Sequence, residues 1–381
     1  TGARKTGKSV WDIAQAYTDA FFVDAERLNL RKPHIACKAT DHIAQMIDLI
    51  KRLQDGGYAY VAKGNVFFDT SKFADYGKMA LLDRQDLRVG ARIEVDESKR
   101  NPADFALWFT NSKFEHQAMM WDSPWGRGYP GWHIECSAMS MKYLGDQIDI
   151  HCGGVDHIPV HHTNEIAQSE AATGRPWVNY WLHGEFLLTD KAKMAKSAGN
   201  FQTLSALMDE GFDPLDFRYL CLGAHYRSQL QYSADSMGSA RSSRQSLVDR
   251  VVRLSERSEP AGDMGESAAR YLAEFELHFG TDLNAPKALA QLWNMIKDPA
   301  VPDAQKLTCA YRMDHVLGLD LDAKSETADV LEPELQKLVE ARESARKSRN
   351  FERADTLRDE LAAKGILIED TPQGTRWQRE K

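Results

Sequence analysis

The sequence predicts an α/β domain, followed by an all-helical domain and a small helical unit at the C-terminus. Between Phe105 and Leu188, short aromatic or β-branched runs alternate with helical stretches, which is typical of parallel α/β construction. After Asn200 the pattern is almost wholly helical, and 381 residues are enough for two or three domains. The predicted domains are 1–205, with an insertion at about 20–105, then 206–330 and 331–381.

Two helices and a hairpin are predicted at the start of the first domain. Val10 to Phe22 mixes apolar and polar residues at helical spacing, and Asp41 to Leu53 carries an apolar stripe. Tyr58 to Val61 and Asn65 to Asp69 alternate as strands around Lys63-Gly64. The hairpin therefore belongs to the expected insertion.

The strands expected in the parallel sheet follow a polar segment from Ser71 to Arg100. Each strand is a short aromatic or β-branched run. They are Phe105 to Phe109, Gln147 to Ile150, Tyr180 to His183, and Phe186 to Leu188.

The remaining elements are helical. Asp213-Pro214 opens a helix of the second domain, and Ser258 to Gly265 is a break between helices. In the tail, apolar residues at three- and four-residue steps predict two antiparallel helices, the second ending at Gly365. Between Arg342 and Arg358 lie six basic residues against three carboxylates, which indicates either a solvated helix face or a basic surface.

Composition is that of a globular protein with reduced cysteines. Hydrophobic residues make up 43% and charged residues 27%, and no apolar run approaches the length of a membrane span or a secretory signal, so we expect a cytoplasmic protein. The five cysteines are scattered, which argues against a disulfide framework. The net charge of -8 argues against indiscriminate coating of nucleic acid but permits a local basic face.

A loop with two lysines three residues apart follows the last predicted strand. Lys193 and Lys196 lie among the small residues of Lys193 to Asn200. Ammonium groups on long stems can stabilise the charge that builds on phosphate oxygens during transfer. The loop is therefore a candidate polyphosphate contact, and a solvated turn is the plain alternative.

A predicted helix from Pro159 to about Ala172 carries possible metal ligands. His161 and Glu165 stand four apart on one face of that helix. Imidazole nitrogen and carboxylate oxygen are both zinc donors, and a thiolate such as Cys136 would complete a mixed set. The alternatives are a His–Glu surface pair and a core cysteine.

Two further segments could contact a small substrate. Trp132 and His133 place a flat aromatic and an imidazole just ahead of Cys136. Gly153 and Gly154 follow a predicted strand, where paired glycines let backbone approach a flat ligand at the carboxyl end of a strand. A tight turn is the alternative for the glycines.

The order of these features resembles the cysteinyl-tRNA synthetase family, which belongs to the class I aminoacyl-tRNA synthetases. The resemblance spans nearly the whole chain. It is carried by RNPADFALW, SPWGRGYPGWHIECSAM, DIHCGGVD, HHTNEIAQSE, VNYWLHGEFL, KMAKSAGN, DPLDFRYL, HYRSQL and the terminal EDTPQGTRW.

The resemblance implies a partial Rossmann-like catalytic domain with an insertion, a helical domain that contacts the tRNA stem, and an anticodon-binding module. It implies an enzyme that activates cysteine with ATP and Mg²⁺ and transfers it to tRNA(Cys). It also implies zinc in the cysteine pocket, held by Cys136, His161 and Glu165. Zinc would prefer a thiolate over the hydroxyl of serine, so selection would not need editing.

Further roles follow from the same resemblance. Trp132 and His133 would line the cysteine site, and the Gly153-Gly154 loop would lie near adenosine. Lys196, assisted by Lys193, would stabilise the ATP phosphates. In the tail, the residues implied to contact tRNA are Arg342, Arg346, Arg349, Arg376 and Trp377. We expect a monomer.

Departures from the family pattern modify these expectations. The family's fourth zinc ligand, an N-terminal cysteine, and its HIGH signature do not occur in this sequence, so we expect a fragment with negligible aminoacylation on its own. Zinc would then be held by three protein ligands with water, or with Cys152 or His157 as a substitute. Ala195 replaces the serine of KMSKS, which weakens the loop but keeps both lysines.

Two alternatives remain open from the sequence. One is a non-catalytic protein that binds zinc and tRNA. The other is the cysteine ligase of mycothiol synthesis, which resembles the catalytic half but ends without an anticodon-binding module, so the tail disfavours it.

Overall fold

The computed structural model describes residues 7–81, 98–111, 118–189, 192–193, 203–322, 333–371 and 374–379. The chain divides into two compact units, Thr1–Leu321 and Asp322–Lys381. No helix in these described ranges is both long enough and apolar enough to span a membrane.

Some helices of the first unit begin at residues whose side chains cap them. The α-helices are α1 (Val10–Arg27), α2 (Ile43–Asp55), α3 (Trp132–Leu144), α4 (Thr163–Thr173), α5 (Leu204–Asp209), α6 (Pro214–Leu222), α7 (Ala234–Ser255), α8 (Gly265–Gly280), α9 (Ala285–Lys297) and α10 (Asp303–Leu317). Ser9 and Asp12 form a capping box before α1, and Asp213 with Asp216 does the same for α6, whose first residue is Pro214. The predicted helix starts near Val10 and Asp213 are confirmed.

A four-stranded antiparallel sheet contains the predicted hairpin. Its strands, in the order β1-β2-β3-β4, are β1 (Ala59–Ala62), β2 (Asn65–Phe68), β3 (Phe105–Phe109) and β4 (Tyr129–Pro130). Lys63 and Gly64 both have positive φ, 48° and 88°, which suits the two-residue hairpin predicted there. The prediction that Phe105–Phe109 belongs to a parallel sheet was wrong, because β3 pairs antiparallel with the hairpin strand β2.

A short parallel sheet lies beside the candidate site. The strands β5 (Ile148–Gly154) and β6 (Val178–Gly184) pair in parallel, and α4 connects them. A third sheet has the order β8-β7-β9, with β7 (Leu187–Thr189), β8 (Ala192–Lys193) and β9 (Leu230–Tyr232). The strand β9 interrupts a region that the sequence predicted to be helical.

Two hydrophobic cores fill the first unit. One joins α2, α3 and α4 to the antiparallel sheet through fully buried residues such as Ile50, Phe68 and Trp108. The other joins α7 to α10, with Leu247, Leu292 and other apolar side chains excluded from solvent. The first core fixes the helices that carry the candidate ligands.

The second unit contains two helices and a hairpin. They are α11 (Pro333–Lys347), α12 (Phe351–Ala363), β10 (Ile366–Thr371) and β11 (Gly374–Arg379). Leu335, Val339, Leu361 and Ile366 form its buried core. The helix pair was predicted, whereas the antiparallel hairpin was not.

Candidate metal and substrate site

Three candidate ligands from different segments converge. Cys136 lies in α3, Glu165 lies in the first turn of α4, and His161 lies in a one-turn π-helix, Ile158–His162, that leads into α4. Their ligand atoms all lie within 4.8 Å of one another. The structure thus brings together a thiol, an imidazole and a carboxylate, a donor set that suits zinc.

A buried polar network holds α3 and α4 in register. Gln168 Nε2 donates to the carbonyl oxygen of His133 and to Ser137 Oγ, each at 2.6 Å, and Ser169 Oγ donates to Ser137 Oγ at 2.8 Å. The side chains of Ser137, Gln168 and Ser169 are fully buried. Because Ser137 adjoins Cys136, this network fixes the position of the thiol along α3 relative to the candidate ligands of α4.

Glu165 is a buried, ionised carboxylate. It is 0% exposed, and its Oε2 accepts a hydrogen bond from His151 Nε2 at 3.0 Å. Burial by itself would raise the pKa of Glu165, but His151 and His161 outweigh burial and lower it to about 2. A buried negative charge of this kind requires a compensating cation.

The second oxygen of Glu165 is oriented as a metal ligand would be. Oε1 lies 2.9 Å from His161 Nε2, yet it makes no hydrogen bond of acceptable geometry with any described residue. Two metal-ligand atoms that lie close together without a hydrogen bond between them have the arrangement expected when both bind the same ion. The residues of this site therefore fit a zinc ion.

The orientation of His161 is set by its neighbours. His161 Nδ1 lies 2.8 Å from His133 Nδ1, and the indole of Trp132 covers the His161 ring at 4.3 Å between centroids. Burial, together with the charge of a nearby His161, lowers the pKa of His133 to about 4, so His133 is neutral at pH 7 and can accept a hydrogen bond. In the tautomer that donates from Nδ1 to His133, His161 keeps the Nε2 lone pair for a metal.

Cys136 is a protonated thiol unless a cation is present. Burial raises the pKa of Cys136 well above its usual range, and the carboxylate of Glu165 adds to the effect. A bound divalent ion reverses this preference, because a coordinating thiol is deprotonated outright. The thiol is therefore a candidate ligand rather than an activated nucleophile.

A second layer of histidines escaped the sequence analysis. His151 lies in β5 and His183 in β6; His183 Nε2 lies 2.8 Å from His162 Nδ1. His151, His162 and Glu165 also form a group whose ligand atoms lie within 4.8 Å. The available signal was a histidine near the carboxyl end of each of two neighbouring parallel strands.

The paired glycines have a packing role. A Cβ on Gly153 would lie 2.5 Å from His162 Cε1 and 2.8 Å from His157 Nδ1. A Cβ on Gly154 would lie 2.5 Å from Asp156 Oδ1. Gly153 therefore leaves room for the imidazoles behind the candidate ligands, a reason that the sequence did not reveal.

The other predicted site residues are placed as follows. Trp132 is 61% exposed at the start of α3, whereas His133 faces His161. Cys152 and His157, proposed as substitute ligands, belong to neither metal-binding group of the described residues. Lys193 is the last residue of strand β8, and Lys196 lies outside the described residues.

The predicted RNA contacts of the tail differ in exposure. Arg346 and Arg349 are exposed. Arg342 is only 4% exposed, which leaves its guanidinium little access to a phosphate. Arg376 and Trp377 lie on β11, paired with Glu369 and Ile368, and their side chains lie outside the described residues.

Comparison with solved structures supports the fold. The chain is similar to the Mycobacterium tuberculosis methionyl-tRNA synthetase bound by methionyl-adenylate, with a TM-score of 0.51 and 16% identity. The match covers 83% of this chain and 79% of that one. At this identity the likeness concerns the fold alone.

Comparison with protein families and curated relatives is more specific. Residues 1–242 match the family model of the tRNA synthetases class I (C) catalytic domain, and residues 328–377 match that of the cysteinyl-tRNA ligase anticodon binding domain. The chain is 50% identical to the cysteine–tRNA ligase of Treponema denticola, over 99% of this chain and 82% of that protein. It is 45% identical to cysteine–tRNA ligase 1 of Burkholderia lata, over 98% of this chain and 78% of that protein. The chain therefore belongs to the cysteine–tRNA ligase family of class I aminoacyl-tRNA synthetases.

Proposed function

We propose that this chain selects cysteine through a zinc ion held by Cys136, His161 and Glu165, in the ATP-dependent attachment of cysteine to tRNA(Cys). The observation that carries the proposal is the convergence of the three ligand atoms within 4.8 Å around an ionised, fully buried carboxylate. When bound, zinc supplies a soft Lewis acid that favours a substrate thiolate over a hydroxyl. This preference distinguishes cysteine from serine where shape alone distinguishes them poorly.

The side chains around the ligands orient the substrate. Trp132 is exposed and adjacent to His161, so its indole is available to cover a bound amino acid. His133 contacts His161 directly and therefore acts by fixing the ligand's tautomer. Gly153 and Gly154 end β5, at the carboxyl edge of the parallel pair where α/β folds bind nucleotides.

ATP and tRNA would be bound by other segments. Lys193 and Lys196 belong to the KMAKS sequence and would stabilise the phosphates while the cysteine carboxylate attacks the α-phosphate and pyrophosphate leaves as the α–β bond breaks. The match of residues 328–377 to an anticodon-binding domain supports recognition of tRNA by the tail. The exposed guanidiniums of Arg346 and Arg349 are suited to RNA phosphates, and Trp377 to stacking on an unpaired base.

Metal analysis of purified protein tests the zinc assignment. We expect about one zinc per chain in the unaltered protein and in Cys152→Ala, which removes a cysteine outside the ligand group. Cys136→Ala should lose zinc affinity by roughly 100-fold or more, because loss of second-layer partners alone costs 10- to 100-fold. Full zinc occupancy in Cys136→Ala would show that the ligand set is wrong.

Binding of amino acids tests the proposed selectivity. Titration calorimetry with cysteine and with serine should show tighter binding of cysteine to the zinc-loaded protein. Removal of zinc with a chelator should abolish most of that difference. An unchanged preference for cysteine without zinc would rule out the metal as the selecting group.

A further inference from the structure

A second group of possible metal ligands lies beside the first and contains no sulfur. It consists of His151 in β5, His162 at the end of the π-helix Ile158–His162, and Glu165 in α4. The ligand atoms of these three residues all lie within 4.8 Å of one another. Glu165 belongs to both groups, so one carboxylate connects two sets of donors.

The two oxygens of Glu165 divide between the groups. Oε1 lies 2.9 Å from His161 Nε2 in the first group, and Oε2 lies 3.0 Å from His151 Nε2 in the second. Two-metal sites place their ions about 3.5–4 Å apart, a separation at which one carboxylate can bind both ions, with one oxygen on each. The hydrogen bond from His151 to Oε2 would then be replaced by coordination, and the neutral ring would keep its proton on Nδ1.

The imidazole of His162 is supported in the same way as that of His161. His162 Nδ1 lies 2.8 Å from His183 Nε2, just as His161 Nδ1 lies 2.8 Å from His133 Nδ1. Burial lowers the pKa of His162 to about 3, so the ring is neutral at pH 7. In the tautomer that donates from Nδ1 to His183, the Nε2 lone pair is available to a metal. An outer partner of this kind holds a ligating imidazole in position.

A further nitrogen beside this group has no hydrogen-bond partner among the described residues. His157 Nδ1 is buried and unpaired. It lies 2.8 Å from the position that a Cβ on Gly153 would take, and His162 Nε2 lies 2.9 Å from the same position. A buried polar atom without a partner costs free energy, and a bound cation is one way to satisfy it. His157 lies outside the 4.8 Å group, so its ring would have to rotate before it became a fourth ligand.

The donor set determines which ions suit the second group. Two imidazole nitrogens and one carboxylate oxygen are typical ligands of borderline ions such as Ni²⁺, Co²⁺ and Zn²⁺, and the group has no thiolate to favour a softer ion. Glu165 is the one carboxylate of the two groups. Its single charge cannot balance two divalent ions, which repel each other at such a short distance. The second group should therefore fill after the first and with lower affinity.

We propose that His151, His162 and Glu165 form a second, weaker site for a divalent ion, which Ni²⁺ or Co²⁺ enters when metal is in excess. The proposal goes beyond the proposed function, because it depends on neither cysteine nor tRNA. An ion in this site holds Oε2 of Glu165 and repels an ion in the first group, so the two sites are coupled negatively. By reciprocity, zinc in the first group weakens binding in the second by the same factor.

Titration of the metal-free full chain with Co²⁺ tests the number and type of sites. A thiolate bound to Co²⁺ gives a charge-transfer absorption band that imidazole and carboxylate ligands do not give. The first equivalent should bind with this thiolate band, through Cys136. The second equivalent should bind roughly tenfold more weakly or worse, because of the repulsion between the ions, and should not strengthen the band.

Variants identify the ligands of the second site. The double variant Cys136→Ala, His161→Gln removes the two ligands that belong to the first group alone, and it should still bind one equivalent of Co²⁺ without the thiolate band. Addition of His162→Gln should weaken this binding by roughly 100-fold or more, because it removes a ligand rather than an outer partner. His151→Gln, at a less buried position, should do the same. Addition of His34→Gln, an exposed histidine outside both groups, is the matched control and should change nothing.

The outcomes separate the second site from the proposed function. If the unaltered chain takes up one equivalent with the thiolate band and the double variant takes up none, the second site is wrong and the zinc assignment stands. If His162→Gln and His151→Gln bind Co²⁺ as tightly as His34→Gln does, the ligands are wrong. If the unaltered chain shows no thiolate band but keeps histidine-dependent binding, the zinc ligand set is wrong and the second site stands. Circular dichroism identifies variants that fail to fold, and the titration of the unaltered chain then decides.

Discussion

At the residue scale, the two oxygens of Glu165 make different contacts. Oε2 accepts a hydrogen bond from His151, which orients the carboxylate, while Oε1 faces His161 without a well-formed bond. The first contact resembles the outer partners that hold metal ligands in place, and the second resembles the approach of two ligands to one ion. Loss of the charge on Glu165 should therefore lower both the zinc affinity and the stability of the fold.

Glu165→Gln tests this reasoning. The variant should lose zinc affinity by roughly 100-fold or more, which removes about 2.7 kcal/mol of zinc-dependent stabilisation when zinc is in large excess. Without zinc it should be less stable than the unaltered chain at pH 7, because the lowered pKa of Glu165 means that His151 and His161 stabilise its charge in the folded state. Thermal unfolding with and without zinc measures both effects, and an unaltered zinc-dependent shift in Tm would contradict them.

Gly153→Ala tests the packing behind the ligands. The added Cβ would lie 2.5 Å from His162 Cε1, so the imidazole must move or the strand must shift. We expect a loss of about 1–3 kcal/mol in the free energy of unfolding. Gly184→Ala is the matched control on the neighbouring strand, since a Cβ there would meet no atom within 4 Å. Equal stability of the two variants in denaturant titrations would show that the histidines pack more loosely.

Side chains were predictable where spacing along one helix decides the contact. The pair His161 and Glu165 followed from a four-residue step, and Cys136 followed from the family resemblance. His151 and His183 were not predicted, because they reach the site from parallel strands whose pairing joins residues about thirty apart. Period and spacing carry no information about such long-range neighbours.

At the scale of elements, the register of α3 against α4 places Cys136. Gln168→Leu tests the network that sets this register, since it removes the Nε2 donor shared by the carbonyl oxygen of His133 and by Ser137 Oγ while conserving volume. We expect a loss of about 1–3 kcal/mol of stability and roughly a tenfold loss of zinc affinity. Gln147→Leu is the control, because Gln147 bonds only the exposed carbonyl of Pro176. A stability loss without any change in zinc affinity would limit the network to a structural role.

Arg218 joins the ends of two helices. Its guanidinium donates to the carbonyl oxygens of Leu28 and Asn29, beyond the end of α1, and to that of Leu317 at the end of α10. Arg218→Lys should cost about 1.5–3 kcal/mol, because a lysine cannot present a planar fork to all three acceptors. Arg257→Lys, an exposed residue paired with Asp303, should change stability by less than about 0.5 kcal/mol. Similar melting temperatures for the two variants would argue against this role for Arg218.

Helices and turns were predictable where capping residues and hydrophobic periodicity agreed. Strands were not predictable where the neighbouring strand determined whether the pairing is parallel or antiparallel. The helix at Val10 and the hairpin turn at Lys63-Gly64 have local signals. The strand Phe105–Phe109 has the composition of either sheet type, and its antiparallel pairing depends on the hairpin it meets. The apolar residues of the β10–β11 hairpin are three in a row at the start of β10 and Trp377 in β11, so no hydrophobic alternation marked it.

At the scale of the whole molecule, the candidate zinc ligands and the tail belong to separate units. All three candidate ligands lie in the unit Thr1–Leu321, whose core is independent of the one formed by Leu335, Val339, Leu361 and Ile366. The overall class was predictable from the change in pattern after Asn200 and from the order of motifs. Zinc binding and tRNA binding by the tail should therefore be separable by truncation.

Deletion of residues 322–381 tests this separation. Zinc content and the cysteine preference of the remaining chain should match those of the full chain, because no candidate ligand or contact among its helices is removed. Affinity for tRNA should fall by roughly tenfold or more, because the deletion removes the exposed Arg346 and Arg349 that we propose as phosphate contacts. Calorimetry and tRNA titration on the same preparations measure both quantities. Unchanged tRNA affinity would remove the tail from RNA recognition, and loss of zinc would show that the tail supports the metal site.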